Sequence, residues 1–240
     1  MSTDNLLELV DLSTSRLLRD LADLTDAEAR EPSLLPGWSR GHVLTHIARN
    51  ADALVNLLRW ARTGERAVMY PSRAVRAADI EAGARRSVAE LRADLAVSHE
   101  RLREYAELLD ADAWTRRVEW GADRRGDTAE FVLVLRASEV ELHRTDLGMG
   151  YPPALWPAEM LVAFLPYAAS DLAERAGEAL TLQATDTWAT LELGDRAGGA
   201  AARTVEGPQA ALAAWVTGRS DGHDLAVVPD GDLPDIGGWR

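Results

Sequence analysis

Glu139 and His143 are the first residues in the chain whose types and spacing point to chemistry. Both lie in FVLVLRASEVELHRTDL, residues 131–147, where the apolar positions recur at helical spacing. Four residues turn a helix by about 400°, so the two side chains leave nearly the same face, one turn apart. A carboxylate oxygen and an imidazole nitrogen set out in this way can take one cation between them. Arg136, three residues before Glu139, shares the face, whereas Glu141 points to the opposite side. On spacing alone the same pattern describes a solvated surface pair, with Arg136 in a salt bridge to Glu139.

A cation held by two ligands of one helix needs a third from elsewhere. The histidines stand at positions 42, 46, 99, 143 and 223. His99 lies in the charged run SHERLRE and reads as a surface residue. His42 and His46 are one turn apart in a segment whose Val43, Ile47, Leu54 and Leu58 mark a partly buried face, so a histidine there could meet Glu139 and His143 inside a bundle. Two imidazoles and a carboxylate with one open coordination position suit catalytic zinc, and suit non-haem iron(II) as well.

Composition narrows what else the chain can do. There is no cysteine, so disulfides, thiolate ligands and a protein thiol nucleophile are all excluded. All 26 basic residues are arginine, which excludes a lysine Schiff base. The net charge of −13 is spread along the chain, without a basic stripe, and argues against a nucleic-acid partner. Charges interrupt every apolar run short of the roughly 20 residues that span a bilayer. The acidic, polar start MSTDNLLELVDLSTSRLL lacks the pattern of an export signal, so a cytoplasmic location is expected, with no membrane partner.

The elements that must position these residues read as follows. Leu6 to Leu24 recur at near-helical spacing; after LLPGW, Ser39 caps a second helix over 40–63 that stops at Gly64. A third helix is expected over 79–109. A polar connection follows, and then a fourth helix, capped by Asp127 or Thr128 and ending near Gly148. Beyond Tyr151-Pro152-Pro153 the pattern changes to a helix over 157–177, strands in TLQATD, WATLEL, RTVEG and DLAVVPD, and a helix opening at Pro208. The expected fold is α+β, with a four-helix bundle over residues 1–150 and a small α/β domain over 151–240. Trp60 and Tyr70 are conceivable pocket residues.

Three stretches carry a family resemblance. SLLPGWSRGHVLTHIARNADALVNLLRWARTGERAVMY (33–70) resembles the N-terminal helical region of mycothiol-dependent maleylpyruvate isomerases, within the DinB-like metalloenzyme superfamily. RASEVELHRTDLG (136–148) resembles their metal-binding helix, and VTGRSDG (216–222) with GDLPDIGGW (231–239) resembles their C-terminal domain. The resemblance implies a zinc ion held by His46, Glu139 and His143, which selects His46 over His42. It implies a catalytic role for His46 and for Arg219, the latter being the second domain's contribution to the active site.

The implied reaction is the cis–trans isomerisation of maleylpyruvate, an ene-dicarboxylate from gentisate breakdown, to fumarylpyruvate. Reversible addition of a metal-activated thiolate lowers the bond order so that the bond can rotate before the thiolate leaves. A chain without cysteine must borrow that thiol, and mycothiol is the family's cofactor. Arg219 would clamp a substrate carboxylate or stabilise the enolate, while Arg136 would orient Glu139 and His42 would do likewise or simply pack. The alternatives on this scaffold are another mycothiol-dependent S-transferase and a metal-dependent hydrolase.

Overall fold

The computed structural model describes residues 1–120, 125–194 and 203–237. The chain divides into two units, Met1–Gly150 and Tyr151–Arg240.

Unit 1 is built on four helices: α1 (Thr3–Asp20), α3 (Arg40–Thr63), α5 (Val88–Ala106) and α7 (Phe131–Asp146). Shorter helices α2 (Asp26–Arg30), α4 (Arg73–Gly83) and α6 (Ala111–Thr115) join them, and strands β1 (Arg117–Trp120) and β2 (Arg125–Thr128) form an antiparallel hairpin before α7. The core buries Leu17 of α1, Val43, Leu44 and Ile47 of α3, Leu91 and Leu95 of α5 and Val140 of α7. Among the described residues no helix is long and apolar enough to cross a membrane.

α3 has the bounds its sequence predicts, for local reasons. Ser39 accepts from the His42 amide while the His42 ring accepts from the Ser39 amide, closing a capping box that satisfies two donors at the helix start. At the other end Gly64, at φ +77°, takes the left-handed conformation in which a helix commonly terminates, and its N–H reaches the Trp60 carbonyl. Gly41 lets α3 approach α4: a Cβ there would lie 2.1 Å from the Ala84 carbonyl oxygen. The LLPGW turn ties the start of α3 to the end of α7, because the Leu34 amide donates to the Asp146 carbonyl (2.8 Å) and Arg40 Nε to that of Leu147 (2.9 Å). Those carbonyls are among the ones an α-helix leaves without partners at its C-terminus.

Two expectations for unit 1 need correction. The helix expected over 79–109 is two helices, since Ser87 and Glu90 form a capping box that starts α5 anew. Asp127 and Thr128 do not cap α7: they belong to β2, and α7 begins after Glu130 without a side-chain cap.

In unit 2 a 3-10 turn (Pro153–Leu155) precedes α8 (Ala158–Ala168) and α9 (Leu172–Ala176), so the helix expected over 157–177 is interrupted. Strands β3 (Leu180–Ala184), β4 (Thr190–Leu193), β5 (Arg203–Gly207) and β6 (Ala226–Val228) form one sheet in the order β4-β3-β5-β6. β3 pairs antiparallel with β4 and parallel with β5, setting Leu182 opposite both Leu191 and Val205, and β5 pairs antiparallel with β6. α10 (Gln209–Val216) follows Pro208 and packs on this sheet through β3 and β5. Of the closing GDLPDIGGW, residues 238 and 239 lie outside the described residues.

Candidate metal centre

α3 and α7 lie against one another, and the face of each that carries a histidine turns to the other. His46 Nε2 is 3.0 Å from Glu139 Oε2, and His143 Nε2 is 3.3 Å from the same oxygen. The two imidazoles meet edge to face, with ring centres 4.5 Å apart. One ligand atom from each of the three residues lies within 4.8 Å of the other two. The structure therefore brings together His46, Glu139 and His143 from two stretches nearly a hundred residues apart in sequence.

Neighbouring groups fix both rings. His143 Nδ1 is 2.8 Å from Asp146 Oδ2, a carboxylate buried to 2% exposure. Carboxylates accept and do not donate when ionised, so Nδ1 carries the proton shared with Asp146 and Nε2 is aimed at Glu139. This carboxylate–histidine pairing is the one that orients imidazole ligands in metal sites. His46 is 4% exposed, and its Nδ1 is 3.1 Å from Arg76 Nη2. A guanidinium can only donate, so Nδ1 accepts here and the ring proton sits on Nε2, facing Glu139. Were Nε2 to give its lone pair to a cation, that proton would belong on Nδ1 and Arg76 would lose its acceptor.

The electrostatics agree with a cation site. Burial pushes the His46 pKa down to about 4, aided by the nearby His143 charge, so this imidazole stays neutral and keeps a lone pair to offer. Burial acts to raise the Glu139 pKa, but hydrogen bonds from His143 and His46 outweigh it and hold the carboxyl well below its usual range. For His143 burial acts downward, and the Asp146 and Glu139 carboxylates reverse it, raising the pKa. A permanent carboxylate, a neutral imidazole and an imidazole that attracts positive charge form a donor set that fits a divalent cation.

Other residues singled out from the sequence fall elsewhere. Arg136 does not hold Glu139. It is wholly buried and reaches across to α3, where Nη1 donates to the Ile47 carbonyl (2.7 Å) and to Asn50 Oδ1 (3.1 Å). A long side chain at a helix–helix contact finds its acceptor on the facing helix. His42 does not support the triad either: it caps α3, with Nε2 3.0 Å from Glu81 Oε2. Glu141 does lie away from the triad, and is buried against α1 with Ser13 Oγ at 2.5 Å. His99 is half-buried rather than a free surface residue, its Nε2 3.2 Å from Asp11 Oδ1. Trp60 carries the Arg66 guanidinium over its ring at 5.8 Å, while Tyr70 lines a cavity next to the triad. Arg219 belongs to unit 2, just after α10, where its backbone N–H donates to Ala214 O (2.7 Å) and its Nη1 to Thr217 O (2.6 Å).

Two of the residues fixing the rings were not found from the sequence. Asp146 had a signal, standing three positions after His143 and so on the same face. Arg76 had none: it precedes the expected third helix, in what reads as a connection.

A helical bundle with a histidine–glutamate–histidine centre between two of its helices defines the class. The model of the mycothiol maleylpyruvate isomerase N-terminal domain matches residues 10–148. The crystal structure of the mycothiol-dependent maleylpyruvate isomerase is similar to this one with a TM-score of 0.87 and 30% identity, covering 100% of this chain and 98% of that chain. A histidine-to-alanine mutant of the mycothiol-dependent maleylpyruvate isomerase gives 0.86 and 29% over the same shares. The chain belongs to the mycothiol maleylpyruvate isomerase family. YfiT from Bacillus subtilis, described as a probable metal-dependent hydrolase with an unusual four-helix bundle topology, gives a TM-score of 0.53 at 18% identity, covering 62% of this chain and 86% of that chain. That likeness concerns the fold alone. No curated protein sequence is significantly similar to the chain.

Proposed function

We propose that this chain is a mycothiol-dependent maleylpyruvate isomerase of gentisate breakdown, acting in the cytoplasm with zinc held by His46, Glu139 and His143. The observation that carries the reading is the convergence of these three side chains, in a family member whose sequence contains no thiol of its own.

Each residue has a task that its surroundings support. His46 and His143 offer nitrogen lone pairs from opposite helices, and Glu139 supplies the one negative charge, so the set leaves net positive charge on a divalent ion. That charge, when the ion is bound, holds an external thiol as thiolate. Mycothiol supplies the thiol. Asp146 keeps the His143 ring turned so that Nε2 faces the centre. Arg219 provides a guanidinium for a substrate carboxylate or for the negative charge that develops on the substrate, a role suited to its forked donors.

The test is turnover of maleylpyruvate by the metal-loaded protein with and without mycothiol. Fumarylpyruvate formed only when mycothiol is present supports the proposal. Undiminished turnover without the thiol would indicate a hydrolase, and an accumulating thiol adduct an S-transferase. Arg219→Ala is expected to keep its metal and lose turnover, and loss of metal from that variant would refute the division of labour between Arg219 and the three ligands.

A further inference from the structure

We infer that the cavity beside the triad is a carboxylate subsite, and that Arg76 and Tyr70 select a small ene-dicarboxylate there. The inference rests on the isomerase reading and deepens it by assigning substrate recognition to residues of unit 1.

The cavity measures about 430 Å³, within the range of small-molecule sites, and its lining includes Arg66, Tyr70, Arg73, Arg76, Glu119 and Trp120. Three guanidiniums face one carboxylate in a chain whose net charge is −13, so the local field runs against that of the molecule. Glu119 lies 3.4 Å from Arg66. Among the described residues neither Arg73 nor Arg76 pairs with a carboxylate.

Arg76 is held in place. Its guanidinium carbon lies 6.0 Å from the Trp38 ring centre and 5.6 Å from that of Tyr70, so two aromatic faces flank it. Its Nη2 lies 3.1 Å from His46 Nδ1, which sets Arg76 between the cavity and the triad. That contact depends on His46 Nδ1 acting as an acceptor, and a cation at Nε2 removes it, leaving Arg76 to the cavity. The Tyr70 hydroxyl is buried beside the Arg76 guanidinium, which can only donate, so its own proton has no acceptor. Burial, with the Glu139 charge nearby, pushes its pKa up to about 12, so it stays an O–H donor at neutral pH.

A buried hydroxyl and a flanked guanidinium, both donors and both short of acceptors, call for a ligand that only accepts. A planar carboxylate matches the fork of Arg76 and leaves a lone pair for Tyr70. The excess of positive charge favours a dianion over a monoanion, and the position of Arg76 brings one end of that dianion beside the candidate cation.

Titration calorimetry with maleate as the probe and its diamide as the control, on metal-loaded protein with metal content measured in parallel, tests this without turnover. Wild type should bind maleate and not the diamide. Arg76→Gln should weaken maleate binding by about tenfold or more, Arg76→Lys should recover part of the loss, and Tyr70→Phe should cost about threefold, each with wild-type metal content. No maleate binding by wild type, equal binding by Arg76→Gln, or metal loss from Arg76→Gln would each overturn the inference. The two readings can fail separately. Arg76-dependent maleate binding in a protein that does not isomerise maleylpyruvate would uphold the subsite and refute the isomerase. Mycothiol-dependent turnover with the same KM in Arg76→Gln and wild type would do the reverse.

Discussion

Asp146 shows how much of the centre depends on a side chain that holds no ion itself. It is nearly inaccessible and 2.8 Å from His143 Nδ1, so it sets the tautomer and direction of that ring. Asp146→Ala is therefore expected to lower divalent-cation affinity by about 10–100-fold in a chelator competition, with the helical signal in circular dichroism unchanged. Affinity equal to wild type would show that His143 is oriented by packing alone. The residues that were legible in the sequence at this scale are those whose relation lies within one helix. Glu139 and His143 share a face because of the helical period, and Glu141 is excluded by it. Relations between helices were not legible in the same way. Spacing leaves His42 and His46 both open until the family resemblance selects His46, and it sets Arg136 beside Glu139 although the guanidinium crosses to Ile47 and Asn50 on α3. Which way a long side chain turns at a helix–helix contact is decided by the facing helix, and that helix is far away in the chain.

The element on which the centre most depends is α3, whose start is pinned between α4 and the end of α7. Gly41 makes the first of these contacts possible, since any Cβ there would press on the Ala84 carbonyl oxygen at 2.1 Å, and backbone cannot yield as a side chain can. Gly41→Ala should cost about 1–3 kcal/mol of stability in a denaturant melt. A change within a few tenths of a kcal/mol would mean that α4 is free to shift. Boundaries set by local chemistry were readable, as with Ser39 and Gly64 at the two ends of α3. The break between α4 and α5 is masked in the sequence by Ile80, Val88, Leu91 and Leu95, which continue one apolar stripe through it. The Ser87…Glu90 capping box was present in the sequence and marks the restart. The hairpin of β1 and β2 carries no such signal, because RVEW and RGDT are short and only Val118 and Trp120 of β1 give them an apolar, buried side.

Across the whole molecule the absence of cysteine and the candidate cation site answer one another, and the latter bears on stability as well as activity. Without metal, His143 has a raised pKa between two carboxylates. Its protonated form contributes stability that is fully present below the unfolded value near 6.5, and that stability is lost as pH rises through the higher folded value. A cation requires the neutral ring, so metal and proton compete at this site. The rise in Tm on adding metal should therefore be small below pH 6.5 and grow with pH, by up to about 1.4 kcal/mol of stabilisation per pH unit while one proton is displaced. A metal-induced shift that is constant between pH 6 and 8 would place the ion elsewhere. The most direct test of the account is the metal-to-protein ratio of the purified chain, measured by mass spectrometry of the elements for wild type and for His46→Ala and Glu139→Ala. The account predicts about one divalent ion per wild-type chain and near zero in both variants; full occupancy in His46→Ala, with α3 and α7 still folded, would contradict it.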